Sequence, residues 1–218
     1  MTGVGPIEGA SCAGTSVRAI AVDAEPVSVR ARARGVWRLR NGPRSYYRWR
    51  VPSAFAVGAV TLVLAEPTAM SLLLGLALIT PGLGLRLWAS GHIEKTSRLA
   101  TGGPYGHTQH PLYLGSLLIA LGVAGAAAHP FVLSAIGAYL LAFFPYVIRN
   151  EQAFLHQKFG SEYELWVREV PAFFPRLLPA GPRGTRFEWR RVSSNREWQA
   201  CLAPPGVLAL LYLKDTLL

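Results

Sequence analysis

The sequence predicts an all-α, polytopic integral membrane protein with four to five transmembrane helices. Three observations carry that prediction. Of 218 residues, 51% are hydrophobic and only 16% are charged, against roughly a quarter charged in an average soluble domain. Four apolar stretches, at 51–65, 67–89, 111–128 and 131–148, follow one another across two very short connections, Glu66-Pro67 and His129-Pro130. Those connections carry no Lys or Arg, whereas the N-terminal segment, the loop after the second stretch and the segment after the fourth hold nearly all of them. Basic residues gathered on one side of an even number of spans set topology by the positive-inside rule, so the N-terminus and both polar blocks are expected at the cytoplasmic face of an inner or cytoplasmic membrane.

Residues 1–42 read as a disordered basic tail. Gly, Ala, Ser and Pro dominate its start, and Arg30, Arg32, Arg34, Arg38 and Arg40 stud its end without an apolar period. The net charge of +10 flanks apolar spans instead of lining one face, which fits contact with anionic lipid heads and argues against nucleic acid as a partner. Tyr46, Tyr47, Trp49 and Arg50 form an interfacial anchor. The stretch 51–65 is only about 22 Å long as a helix, enough to span if that aromatic approach is counted or the bilayer thins. Pro81, Gly82 and Gly84 mark a kink inside the second stretch. The third is rich in Gly, Ala and Ser, suited to close helix packing, and Pro145 frees backbone groups near the end of the fourth.

After the fourth stretch, 149–169 has a helical pattern, with Phe154, Leu155, Phe159, Tyr163, Trp166 and Val167 at three- and four-residue steps and Pro171, Pro175 and Pro179 ending it. A final apolar helix over 204–218 carries Lys214 and Asp215 and can span, re-enter or lie in the interface. The chain thus divides into a tail (1–42), a membrane domain (43–180) and a C-terminal linker with an apolar helix (181–218). No charged n-region precedes an apolar h-region at the N-terminus, so no cleaved signal is expected. The chain ends without a prenylation box. Cys12 and Cys201 lie far apart with no CxxC or Cys/His spacing, so neither a disulfide framework nor a metal site is expected.

The functional search centres on Gly102-Gly103-Pro104-Tyr105-Gly106-His107-Thr108-Gln109-His110-Pro111-Leu112-Tyr113-Leu114-Gly115. Polar, titratable residues at the ends of membrane helices are costly and mark function. A plainer reading exists for His110, since a residue before a first-turn proline can simply cap a helix. His92 and His107 read as interfacial polar residues, Glu94-Lys95 as a solvated surface pair, and Phe154, Phe159 and Trp166 as packing.

Taken together, Gly103-Pro104-Tyr105, His110-Pro111-Leu112-Tyr113-Leu114-Gly115, Glu151-Gln152-Ala153-Phe154-Leu155, Phe159-Gly160-Ser161-Glu162-Tyr163 and Val170-Pro171 resemble the isoprenylcysteine carboxyl methyltransferase family, which is close to the membrane phospholipid methyltransferases. The resemblance implies a helical membrane enzyme that binds S-adenosylmethionine in a cytosolic-side pocket and methylates a lipophilic small acceptor. It implies cofactor contacts from His110, Pro111, Leu112 and Tyr113, from Tyr105 and Glu151, and from the backbone of Leu99-Ala100. Those roles suit the cofactor: aromatic faces favour a sulfonium, a carboxylate such as Glu151 holds an ammonium or ribose hydroxyls, and Gly115 permits close backbone approach. Methyl transfer needs alignment and exclusion of water more than proton donation, and no catalytic residue is assigned.

The chain departs from the family pattern at polar positions. Gln109 stands where Arg is usual before His-Pro, Gln152 replaces the second acidic residue, and Val147 occupies the position of a substrate-linked Arg, with Arg149 two residues later as its candidate substitute. Loss of that guanidinium removes the natural bidentate partner of a substrate carboxylate and argues against prenylcysteine. Two rival readings stand beside the methyltransferase: an NADPH-dependent enzyme like the membrane steroid reductases, and a degenerate membrane scaffold.

Overall fold

A computed structural model describes residues 44–94, 98–180, 184–195 and 197–217. The tail 1–42, the side chains of Tyr46 and Tyr47, and Lys95 lie outside the described residues, so the expectations placed on them are untouched. The elements are α1 (Arg44–Leu64), α2 (Ala69–Ser90), a 3-10 turn (Gly103–Gly106), α3 (Pro111–Ala127), α4 (Pro130–Phe159), α5 (Ser161–Glu169), α6 (Trp189–Ser194) and α7 (Glu197–Leu217), with no strand among the described residues.

Helices α2 and α3 form the most intimate pair, and glycine is the reason. A Cβ on Gly75 would lie 2.6 Å from Ala126 Cβ and 2.7 Å from Gly122 O, and one on Gly82 would lie 2.8 Å from Gly115 O. Gly75 and Gly82 sit two turns apart on one helix, as do Gly115 and Gly122 on the other, so backbone meets backbone along a whole seam. Ser71 closes the far end of that seam: its hydroxyl donates to Ala126 O at 3.0 Å while it completes a capping box with Thr68. The two tight turns lie side by side there, Glu66 N–H donating to Ala127 O at 2.9 Å. In the second of them Ala128 takes the left-handed conformation (φ 49°) and the His129 ring accepts from Phe131 N–H.

By length and composition, three helical stretches can cross a membrane: Ala69–Ser90, Pro130–Phe159 and Ala200–Leu217. Their apolar side chains point mostly outward, with Leu73, Leu74 and Leu141 well exposed, a surface that water does not tolerate on this scale. Helix α3, at 17 residues, is about 25 Å long and shorter than a usual span. Helix α1 starts at Arg44, earlier than the apolar stretch suggests, and runs through Pro52.

Two boundaries differ from the sequence reading. The fourth apolar stretch and the helix expected to follow it are one 30-residue helix, which Pro145 does not end; the break comes at Gly160, whose φ of +55° starts α5. The last helix begins at Glu197 and continues through Pro204 and Pro205. It is part of the bundle, with fully buried Leu211 packed among Ala65, Ala124, Ala126, Ala127, Val132 and Ile136.

The glycine seam gives a direct test. Gly122→Val places a branched side chain where Ile79 and the Gly75 carbonyl already stand within 2.7 Å of a Cβ, so it is expected to destabilise the detergent-purified protein by about 1–3 kcal/mol or more. Gly137→Val, where a Cβ meets nothing, is the matched control in thermal unfolding.

Candidate functional site

The site is assembled at the end of the bundle where α2 and α4 stop and α3 and α7 start. The 3-10 turn and the residues after it are held from one side by the segment 171–180. Gln109 N–H donates to Pro171 O at 2.9 Å, Arg176 N–H to His107 O at 3.0 Å and Ala180 N–H to Gly106 O at 2.8 Å. Side chains reinforce this strap: the Thr108 hydroxyl donates to Ala172 O and Phe173 O, both at 3.1 Å, and His107 Nδ1 donates to Arg176 O at 2.7 Å. From α5, Trp166 Nε1 donates to Tyr105 O at 3.2 Å.

A second strap, 184–195, holds the loop after α2. The Thr185 hydroxyl donates to His92 O at 2.7 Å, Glu188 N–H to Gly91 O at 3.0 Å and Asn195 Nδ2 to Ser90 O at 2.9 Å. His92, expected at an interface, is buried in this junction, its Nδ1 donating to Trp88 O at 2.9 Å. Gly103 (φ +57°) passes so close that a Cβ would lie 2.5 Å from the His92 ring. Glycine is required there twice over, for conformation and for space.

Between these straps and the last turns of α4 lies a cavity of about 280 Å³, near the lower end for small-molecule sites. Glu151, Phe154, Leu155, Lys158 and Phe159 line it from one face of α4, and Leu99, Ala100, Tyr105, Gln109 and Trp166 face them. Glu94 and Arg98 also line it, so acids and bases are matched in number. Lys158 Nζ stands 4.9 Å from the centroid of the Phe159 ring, a cation on an aromatic face.

Of the residues singled out from sequence, Leu99, Ala100, Tyr105 and Glu151 line the cavity. His110, Leu112 and Tyr113 stand one layer behind. Tyr113 donates a hydrogen bond to the Glu151 carboxyl, His110 Nε2 lies 3.1 Å from Gln152 Nε2, and Leu112 packs on the cluster of Tyr105, Tyr163 and Trp166. Pro111 is fully buried at the start of α3. Gly115 is used by the α2–α3 seam, against Arg86 Cγ and Gly82 O, and does not line the cavity. Arg149 is exposed on α4, away from it.

Three corrections concern the plainer readings. His110 does not cap α3, since its side chain makes no capping hydrogen bond. Phe154, Phe159 and Trp166 are more than packing, because all three line the cavity; for Phe154 and Phe159 the spacing from Glu151 along one face of α4 was the available signal, whereas Trp166 comes from α5. Gln109 was missed as a lining residue. Its Nε2 donates to Val170 O at 2.6 Å and Val167 O at 3.3 Å, tying the cavity wall to the end of α5. Among the described residues no group of three His, Cys, Asp or Glu is placed to hold a metal.

Burial dominates the electrostatics. It pushes the Tyr105 phenol well above its usual range, with Glu151, Glu197 and Tyr113 adding to the effect, so the hydroxyl stays protonated. Burial also holds His110 down from 6.5 to about 4, leaving the ring neutral.

A second cavity, of about 270 Å³, lies deeper among α1, α3, α4 and α7 and is almost wholly apolar. Val57, Thr61, Val123 and Ile136 line its deep end, and Ser116 and Phe144 its upper end. Phe144 packs edge-on against Tyr113, the centroids 5.6 Å apart, so Tyr113 connects the two cavities. Beside Ser116 is a half-buried cation: Arg86 donates to the Ser116 hydroxyl and to Leu112 O, and pairs with Glu197 at the start of α7.

Residues 61–162 match a family model described as phospholipid methyltransferase. The chain is 36% identical over 140 residues to the cobalt-zinc-cadmium resistance protein CzcN of Cupriavidus metallidurans, covering 59% of this chain and 62% of that protein. It is 32% identical over 119 residues to a probable protein-S-isoprenylcysteine O-methyltransferase of Oryza sativa, covering 55% and 60%. A protein-S-isoprenylcysteine O-methyltransferase of Schizosaccharomyces pombe is 33% identical over 86 residues, 39% of this chain and 36% of that protein. The chain therefore spans less than two thirds of each of these relatives. No solved structure gives a significant match.

The neutral histidine carries a pH signature. The unfolded chain takes up a proton on His110 near 6.5, the folded chain only near 4. Stability is therefore complete above 6.5 and falls as the pH drops towards 4, by up to about 1.4 kcal/mol per unit. In pH-dependent unfolding, His110→Asn is expected to flatten that limb.

Proposed function

Because the segment 61–162 is of the membrane phospholipid and isoprenylcysteine methyltransferase type, we propose that the protein is an S-adenosylmethionine-dependent methyltransferase of the membrane acting on a small lipophilic acceptor. The observation that carries the reading is the lining of the upper cavity, where Glu151, Tyr105 and three aromatic side chains converge within or beside that segment. Glu151 would hold the ammonium or the ribose hydroxyls of the cofactor. The faces of Phe154, Phe159 and Trp166 suit a sulfonium, and the backbone of Leu99-Ala100 provides further polar contacts. When bound, the cofactor supplies an electrophilic methyl group. The chain's own residues bind and orient it and keep water away: Tyr113 holds the Glu151 carboxyl in place, and the two straps close the cavity over it.

The deeper cavity supports a lipophilic acceptor. It is apolar, it lies at the level of the spans, and its upper end stops at Tyr113 and Phe144, next to the Glu151 carboxyl. Arg149, exposed two residues before Glu151, would meet a polar part of the acceptor at headgroup level. In this reading α1, α2, α3, α4 and α7 all cross the bilayer, with both straps and the start of α1 on the cytoplasmic side. The four crossings that precede it put the start of α7 on the same side as the cavity, where Glu197 meets Arg86.

Calorimetry on detergent-purified protein tests this. S-adenosylmethionine is expected to bind in preference to NADPH, and Glu151→Ala to weaken it by about tenfold or more with the unfolding curve unchanged. Preference for NADPH, or no binding by well-folded protein, overturns the reading.

A further inference from the structure

The exchange of an acid for Gln152 has a structural consequence at His110. We propose that Gln152 is a positioning residue that fixes the buried His110 imidazole with its proton on Nδ1, immediately behind the cofactor cavity; its purpose rests on the methyltransferase reading, its geometry does not. Gln152 Nε2, on α4, faces His110 Nε2 across 3.1 Å. A carboxamide nitrogen can only donate, so the imidazole nitrogen accepts and the ring proton moves to Nδ1. The His110 ring is free to serve this contact because it does not cap α3, and it is 4% exposed, so water does not compete.

The other ionisable groups around the ring are already committed. Tyr113, edge-on to it at 5.8 Å, spends its hydroxyl on Glu151. Arg86 of α2 is paired with Glu197 of α7. Tyr105 of the 3-10 turn stays a neutral phenol. Among the described residues no carboxylate acts on the ring, and burial sets its low proton affinity.

A glutamate at 152 would reverse this. A carboxylate accepts only, so it would force a proton onto Nε2 and favour a second on Nδ1, creating a His110 cation next to the site of a sulfonium. The glutamine keeps that place uncharged through the pH range in which histidines ordinarily titrate. Affinity for a cationic methyl donor then does not vary across that range.

The test reads the imidazole directly, by nitrogen-15 NMR of histidine-labelled full-length protein in detergent, with His110 identified by loss of its signal in His110→Asn. The wild type is expected to show an Nδ1–H ring that titrates near 4, and Gln152→Glu an imidazole whose midpoint rises above 6.5. In parallel calorimetry, S-adenosylmethionine affinity should be flat with pH in the wild type but fall about fivefold between about pH 8 and about pH 6 in Gln152→Glu. Gln152→Met, which keeps volume and loses the hydrogen bond, should leave the ring neutral, mix its tautomers and weaken binding at every pH. An Nε2–H wild-type ring, a wild-type midpoint near 6.5, or an unmoved midpoint in Gln152→Glu overturns the proposal. If the imidazole behaves as described and no methyl donor binds, the positioning of His110 stands and the methyltransferase reading falls.

Discussion

The contact on which the rest depends is the backbone seam between α2 and α3. Gly75 and Gly82 meet Gly122 and Gly115 with no side chain between them, and in an apolar medium such close packing, unaided by hydrophobic exclusion, is what holds helices together. The seam sets two things at once. It fixes the heights of the turns at 65–68 and 128–130 against each other, and at the opposite end it brings the last turn of α2 beside the first turn of α3. Only there can residues 98–110 fold back over the helix ends, and only there can Arg86 reach across α3 to Ser116 and Glu197.

Polar groups at the helix ends are handled largely by pairing. The orphan backbone groups of the loops are bonded by two straps, the first without regular structure and the second carrying only the short α6. The charges at the site are compensated locally, with Arg86 against Glu197 and Arg191 between Glu94 and Glu188. A buried ion pair of the first kind adds little to stability by itself, because desolvation offsets its attraction, but losing either member leaves an uncompensated charge. Such pairs fix where helices sit more than how firmly they hold.

Much of this was legible in the residues. The two tight turns, the helical hairpins and the convergence of Tyr105 with Glu151 follow from apolar length, proline placement and the quoted motifs. The continuity of α4 was not, because a turn of polar residues after an apolar stretch reads as a boundary at Ile148, while the helix is indifferent to the change and stops at a glycine with positive φ. The straps were illegible for a different reason. Segment 171–180 bonds through its backbone groups, which every residue carries alike, and in 184–195 the side chains of Thr185 and Asn195 take backbone carbonyls as partners, so composition gives no hint of partners. Gln109 was read as a missing arginine, and its amide instead serves two carbonyls at the end of α5.

The Arg86–Glu197 pair also separates two boundaries that are easily taken to be one. The family-model match ends at residue 162, yet the acid that neutralises the half-buried Arg86 guanidinium comes from the start of α7, and Leu211 of the same helix fills the middle of the bundle. The part of the chain that matches the family model is therefore smaller than the part that builds the bundle. Sequence past that segment can change only as far as it continues to present one carboxylate to Arg86 and one apolar face to the core of the bundle.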